Sequence, residues 1–284
     1  MTAVARTVAW TIRGGRVLGP APFLVCGIVN ATPDSFYDGG AHDAPAAAVA
    51  HGQKLLAEGA HVLDIGGEST RPGAENVPAE AELARVLPVV QGLTASAPGA
   101  VLSIDTTKAA VAAACLEAGA AIVNDVSACR FDPALTDVLV DQKPGYVLMH
   151  AQGEPRTMQA NPRYGDVIDD LRAFFERHLS RLTAAGLPED RVVLDPGIGF
   201  GKTLEHNLTI FRRIEELQTL GRPLYMGLSN KSWLSGLLGL APGDRPESTR
   251  IATAILQTRN VRIHRLHEVA PAIQAFRLAE AMRG

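Results

Sequence analysis

The chain has 284 residues, 46% of them hydrophobic and 20% charged, with a formal net charge of -3. It can bury a full core unaided, and a slightly acidic balance with only 5% aromatic residues leaves no basic, ring-bearing surface for nucleic acid, so a small-molecule substrate is expected. Three cysteines without C-x-x-C spacing, Cys26, Cys115 and Cys129, give neither a disulfide framework nor a zinc site, and with no signal-like opening and no run of eighteen apolar residues a cytoplasmic protein without a membrane segment is expected.

The first elements expected are the two strands of a short hairpin, TVAWTI and GGRVLG, after which apolar runs of strand length alternate with longer stretches of helical period. The strand candidates are FLVCGIV (23–29), HVLDIG (61–66), VLSID (101–105), AIVND (121–125), GYVLMH (145–150), RVVLD (191–195), PLYMGL (223–228) and VRIHRLH (261–267). Most are short and rich in β-branched or aliphatic residues, as parallel strands buried on both faces are. Between them, stretches such as 45–58, 79–95, 108–118, 166–185 and 204–220 read as helices, and several run into a glycine (AEGAHV, EAGAAI, AAGLPE) suited to a left-handed cap. Eight such pairs without a low-complexity linker predict an α/β fold, a (β/α)8 TIM barrel with a short N-terminal hairpin, as one domain over residues 1–284. An open doubly wound sheet is the competing architecture.

Nearly every strand candidate ends in, or is followed at once by, a residue able to do chemistry: Asn30, Asp64, Asp105, Asn124, His150, Asp195, Ser229 with Lys231, and Arg265 with His267. Taken singly, each is as readily a helix cap or a turn residue. A barrel gathers them, because parallel strands open all their carboxyl ends on one mouth. Arg265 and His267 lie two apart on the last strand, on the face opposite His264, so both can grip one anion, the arginine with its planar donor fork. Asn30 opens a loop, NATPDSFYDGG, too long for a minimal turn, and its amide oxygen suits a hard cation such as Mg2+ that shares phosphate ligands. A second long loop, GGESTRPGAENVP (66–78), is expected to cover the mouth, with Arg71 as its charged group.

Two look-alike motifs do not hold. The run DPGIGFGKT (195–203) ends like a phosphate-binding loop but has Pro196 where the first glycine is required, and Lys202 breaks its match to the dinucleotide fingerprint. Its glycines are expected to bring backbone close beside Asp195, with a helix starting just after Thr203. The eight histidines include no HExxH and no serine sits in a G-x-S-x-G elbow, which removes support for hydrolytic zinc and serine mechanisms.

On these residues the chain resembles the dihydropteroate synthases, the pterin-binding barrels of folate biosynthesis. The likeness runs from about Phe23 to the C-terminus and rests on GIVNATPDSFYDGG (27–40) and HVLDIGGESTRPGA (61–74), followed in order by SIDTTK, VNDVS, LMHAQGEPRTMQ, LDPGIGFGK, SNKS and IHRLHEV. It implies that p-aminobenzoate displaces diphosphate from 6-hydroxymethyl-7,8-dihydropterin diphosphate, with Mg2+ on the diphosphate. Carried over position by position, it implies a pterin pocket of Asp105, Asn124, Asp195 and Lys231, with Met149, Phe200 and Gly227 around them and Arg265 against the pterin face. Asn30, Arg265 and His267 would take the diphosphate, Asn30 also the metal, and these with Arg71 and Lys231 would form the catalytic set. Phe36, Thr70, Arg71 and Pro72 would close over the substrates, and Ser232 at a helix start would receive the aminobenzoate carboxylate. A homodimer through the later helices is also implied.

The residue chemistry agrees independently, since two carboxylates and an amide complement the amidine-like edge of a pterin and a lysine can donate to its carbonyl and ring nitrogen. One position departs from the family: Asn230 stands where Ser-Arg-Lys-Ser would place arginine, on the aminobenzoate side. The string GLSN also resembles the methyltetrahydrofolate:corrinoid methyltransferases, which bind a pterin on the same barrel and are the alternative, disfavoured by STRPG and RLH. A non-catalytic pterin-binding paralogue is the other, disfavoured by retention of Asn30, Arg265 and His267. The role of Asp64, in a metal shell or in organising a loop, is left open by the sequence.

Overall fold

The computed structural model describes residues 7–32, 44–69, 74, 76–154 and 156–282. Within them the hairpin is β1 (Val8–Thr11) with β2 (Val17–Ala21), and eight parallel strands follow: β3 (Leu24–Asn30), β4 (Val62–Gly66), β5 (Leu102–Asp105), β6 (Ile122–Asp125), β7 (Gly145–Met149), β8 (Val192–Asp195), β9 (Tyr225–Gly227) and β10 (Ile263–Leu266). The barrel strands fall inside their predicted runs except β3, which continues one residue further to Asn30, and the second hairpin strand lies two to three residues later than GGRVLG. The pairing order runs from β3 to β8 in sequence, with β10 between β3 and β9, and a parallel bridge between Leu194 and Leu224 joins β8 to the start of β9 and closes the circle. The barrel is therefore the architecture, and the open sheet is not.

The helices are α1 (Ala44–Ala57), α2 (Ala79–Ser96), α3 (Ala109–Glu117), α4 (Leu135–Gln142), α5 (Val167–Ala185), α6 (Leu204–Arg212), α7 (Ile214–Gln218), α8 (Trp233–Leu238), α9 (Pro246–Thr258) and α10 (Val269–Ala281). Local chemistry explains several boundaries. The carboxylate of Asp166 accepts from the backbone N–H groups of Ile168 and Asp169, which starts α5, and Gly186 at φ 113° ends it. Thr203 and His206 form a reciprocal capping box that starts α6 where expected. The single helix expected over 204–220 is instead two, broken at Arg213 (φ -118°, ψ 24°), whose guanidinium leaves the helical path to hold Asp166 at 2.6 Å and Glu216 at 2.7 Å.

Side chains alternate across each strand, and this separates two cores. Outward residues such as Leu63, Ile65, Leu102, Ile104, Tyr146 and Leu148 pack under the helices. Inward residues at the amino-terminal end, including Leu24, Cys26, Val62, Val101, Ile122, Val147, Val193, Tyr225 and Ile263, form an apolar floor. The hairpin plugs that end with Val8, Trp10, Ile12 and Leu18, all buried, and each such side chain contributes about 1.5–3 kcal/mol. Trp10 Nε1 donates to the Arg191 carbonyl at 2.7 Å, and Gly145 leaves the room the plug needs, since a Cβ there would lie 2.8 Å from Ile12 Cγ2. Among the described residues no helix is long and apolar enough to cross a membrane.

All three cysteines are buried and unpaired, and burial pushes their thiols up, Cys115 to about 12 and Cys129 to about 11. Since the thiolate is the reactive form, Ellman's reagent should find no fast thiol in the native protein and three after denaturation. A fast native thiol, or a disulfide in the denatured count, would contradict this.

Candidate active site

The same alternation that makes the lower barrel apolar makes its carboxyl-terminal half polar. Asp64, Asp105, Asn124, Asp195 and Arg265 share the inward register of the floor residues, one or two steps further along their strands. Arg265 is the hub: its Nε donates to Asp64 Oδ2 at 2.5 Å and its Nη2 to Asp105 Oδ2 at 2.7 Å. Asn124 Nδ2 donates to the same Asp64 oxygen at 3.0 Å. Asp64 is fully buried, so its observed partners are barrel side chains and not a loop. It orients Arg265 and Asn124, a role the sequence left open. Burial pushes the Asp105 carboxyl above the usual carboxylate range against the pull of Arg265, while Asp64, Glu82 and Asp125 push it further up.

Across the mouth, Asp195 ends β8 almost wholly buried, and its Oδ1 accepts from Gly197 N at 2.7 Å. Burial raises its carboxyl and Lys231 chiefly opposes this. The Lys231 ammonium donates to the Ile198 carbonyl at 2.6 Å and lies 4.7 Å from the centre of the Phe200 ring, a cation–π contact. Burial brings Lys231 down to about 8, with Asp195 pulling the other way. Gly227 leaves a gap between the two cations, since a Cβ there would stand 3.8 Å from Lys231 Nζ and 3.9 Å from the Arg265 side chain. Met149 is buried at the end of β7, the strand paired with β8. One mouth thus brings together Arg265 and Lys231, the carboxylates of Asp64, Asp105 and Asp195 and the amide of Asn124.

His267 follows β10, and its Nδ1 lies 2.8 Å from Ser229 Oγ, which also accepts from the His267 backbone N–H at 3.4 Å. A Ser229 hydroxyl donating to Nδ1 places the ring proton on Nε2, which is the tautomer with a donor facing away from Ser229. Asn30 is half-buried at the end of β3, beside β4. Ser232 is exposed at the N-cap position of α8, with its side chain not engaged in capping. Asn230 adopts φ 57°, the left-handed region, which asparagine tolerates better than arginine. Its carbonyl is held by Arg245 Nη1 at 2.8 Å.

Phe36, Thr70, Arg71 and Pro72 lie outside the described residues. The stem of the second loop is described, and it carries a clamp that the sequence reading passed over. Lys108 Nζ reaches Glu68 at 2.6 Å and the fully buried Glu82 at 2.5 Å, and Glu68 Oε1 accepts from Val77 N at 2.8 Å. Its only local signal was a lysine closing SIDTTK. An open cleft of about 410 Å3 at Phe23, Glu58, His61, Ile273 and Arg277 holds none of the mouth residues.

Residues 26–267 match the family of pterin binding enzymes. A dihydropteroate synthase of Synechocystis sp. is 40% identical over 259 residues, 91% of this chain and 89% of its own length. The crystal structure of the Yersinia pestis dihydropteroate synthase with a sulfonamide drug complex shares the fold at a TM-score of 0.90 and 39% identity, covering 97% of this chain and 99% of that one. The Xanthomonas albilineans enzyme in complex with 7,8-dihydropteroate gives 0.87 and 37%, covering 98% and 99%.

Proposed function

From the premise that this chain belongs to the pterin binding enzymes, as a member of the dihydropteroate synthase family, we propose how its own residues carry out that family's transfer. The reaction joins 6-hydroxymethyl-7,8-dihydropterin diphosphate to p-aminobenzoate, giving 7,8-dihydropteroate and diphosphate. The observation that carries the assignment of roles is the polar ring in the barrel mouth: Arg265 held between Asp64 and Asp105, with Asn124 beside them and Lys231 and Asp195 opposite.

The pterin lies in the gap at Gly227, with its amidine edge on Asp105, Asn124 and Asp195. Asp195 is fixed by Gly197 N, and Lys231 donates to the pterin carbonyl and ring nitrogen. Met149 and Phe200 supply apolar walls. Arg265 covers the pterin face and, with His267 Nε2 and Asn30, binds the diphosphate, while Ser229 keeps the His267 proton on the diphosphate side. The bond from the methylene carbon to the diphosphate oxygen breaks first, the electron pair leaving with diphosphate, and the electron-rich pterin spreads the positive charge left on carbon. The neutral arylamine then forms the new carbon–nitrogen bond. The resulting ammonium is acidic enough to give its proton to water, so the chain needs to position the amine and not to deprotonate it. Ser232 receives the carboxylate of p-aminobenzoate, and Phe36, Thr70, Arg71 and Pro72, outside the described residues, are assigned to the substrates by the family resemblance alone.

Among the described residues no three His, Cys, Asp or Glu side chains gather to hold a metal. Asn30 would hold a Mg2+ ion through its amide oxygen, a hard donor suited to that ion, beside the bound diphosphate. When bound the ion neutralises charge on the leaving diphosphate.

Residues 1–284 act as one domain in the cytoplasm, which three unpaired thiols suit. A homodimer would cover the apolar face left by Leu237 and Leu238 of α8 and by Ile251 and Ile255 of α9, each about half exposed. Sedimentation should then give twice the chain's mass, and a monomer at micromolar concentration would refute the pairing.

The decisive experiment incubates the protein with the pterin diphosphate, Mg2+ and p-aminobenzoate and looks for dihydropteroate. A folded protein that forms none overturns the proposal. Asn230 gives a finer check. Asn230→Arg is expected to change the KM for p-aminobenzoate while leaving pterin affinity within about twofold, because the added cation sits beside Ser232 and not in the barrel. A change confined to pterin affinity would show that this position faces the other substrate.

A further inference from the structure

We propose that Lys202 is a positioning residue of the pterin subsite: it reaches from the loop after β8 back to the end of β7, and this clamp sets the carbonyl and the aromatic ring that hold Lys231. The inference rests on the reading of Lys231 given above and adds a residue that contacts neither substrate.

Lys202 is almost wholly buried, at 3% exposure. Its ammonium has three acceptors for its three hydrogens: His150 Nδ1 at 3.0 Å, the His150 carbonyl at 3.4 Å and the Phe200 carbonyl at 3.2 Å. None is a carboxylate, and Lys202 has no ion pair among the described residues. A cation buried in this way is disfavoured. Burial accordingly brings Lys202 down to about 7, Asp195 pulling the other way and Lys231 pushing it further down. A methionine would fill the same space without that cost, so packing alone does not account for a lysine here. What the ammonium supplies and an apolar chain cannot is a three-point tie between two loops.

The two loops lie against each other with no space between their backbones. A Cβ on Gly197 would come 1.9 Å from the His150 carbonyl oxygen, and one on Gly201 would come 2.3 Å from that of Gln152. Both glycines have positive φ, 68° and 61°. The Tyr164 hydroxyl adds a stitch to the Gly201 carbonyl at 2.8 Å. On its other side this same short loop presents the Ile198 carbonyl and the Phe200 ring to Lys231. A displacement of the loop therefore moves the Lys231 ammonium directly. His150 is suited to accept, since burial first and Lys202 second hold it down to about 2 and so keep it neutral, and an ammonium at Nδ1 can only donate to it.

The test measures affinity for a 7,8-dihydropterin analogue by calorimetry, with a thermal melt of each variant and the KM for p-aminobenzoate at saturating pterin diphosphate. Lys202→Met is expected to weaken the analogue at least about tenfold and to leave the p-aminobenzoate KM within about twofold. His150→Phe, which keeps the edge-on packing against Phe174 but removes the Nδ1 acceptor, should reproduce that loss. His150→Asn, which restores an acceptor oxygen, should recover most of it. A folded Lys202→Met with unchanged pterin affinity overturns the proposal, as does an equal rise in KM for both substrates. Should Lys202→Met not fold, His150→Phe decides on the same criteria. Lys231→Met is run in parallel: if it binds normally, the site reading itself fails, whereas a weak Lys231→Met beside a normal Lys202→Met removes only the clamp.

Discussion

Replacing Arg265 with methionine is expected to abolish measurable synthase activity and to lower stability by about 3–5 kcal/mol, the range for removing one partner of a buried ion pair. Its guanidinium separates Asp64 from Asp105 and binds both, and the Arg265 and Asp64 side chains are 22% and 0% exposed. Without it two carboxylates face each other inside the barrel, and Asn124 loses a fixed neighbour because Asp64 holds both. The stability deficit should depend on pH with a definite sign. Asp105 already lies above the ordinary carboxylate range because of burial, and Arg265 is the main influence opposing this. Its removal raises the folded-state value further, so the extra cost opens above the wild-type value of about 7 and is absent at lower pH, where both proteins hold the proton. Urea denaturation at about pH 5 should thus show a smaller gap from wild type than at about pH 8. Arg265→Lys keeps the charge, but a single ammonium cannot reproduce the forked contact to two carboxylates, so it should recover stability more than activity. A stable and active Arg265→Met would remove Arg265 from both roles.

Lys231→Ala and Asp195→Ala are each expected to weaken pterin binding by about 1–3 kcal/mol for every buried group left without a partner. In wild type the affinity should also change with pH in a way that identifies the two residues. Burial brings Lys231 down to about 8 in the free protein. A ligand that accepts from the ammonium favours its protonated form, so affinity is flat below that value and declines above it. Burial raises Asp195, so an acid limb is expected as that carboxylate takes up a proton and ceases to accept from the pterin. Calorimetry with a dihydropterin analogue across the pH range should give both limbs, and Lys231→Met should remove only the alkaline one. Affinity within about twofold of wild type in both alanine variants would exclude these residues from the pocket.

Much of this protein was legible before its structure because the informative signals are local. Strand length, the two-residue alternation and caps such as Asp166 and Thr203 act over a few residues, and so do the left-handed glycines closing α1, α3 and α5. Eight strand ends carrying polar residues then imply a shared mouth, since parallel strands in one barrel leave no other arrangement. Tertiary structure decided which of those residues meet. Arg265 finds Asp64 across 201 positions of sequence and Asp105 across 160, and Lys202 finds His150 across 52. Those distances are set by closure of the barrel and by the close approach of its loops. The hairpin's role as a plug, the break in the helical stretch at Arg213 and the left-handed backbone at Asn230 are of the same kind. Each depends on packing or a dihedral imposed from elsewhere in the chain, and neither hydrophobic period nor residue type encodes it locally.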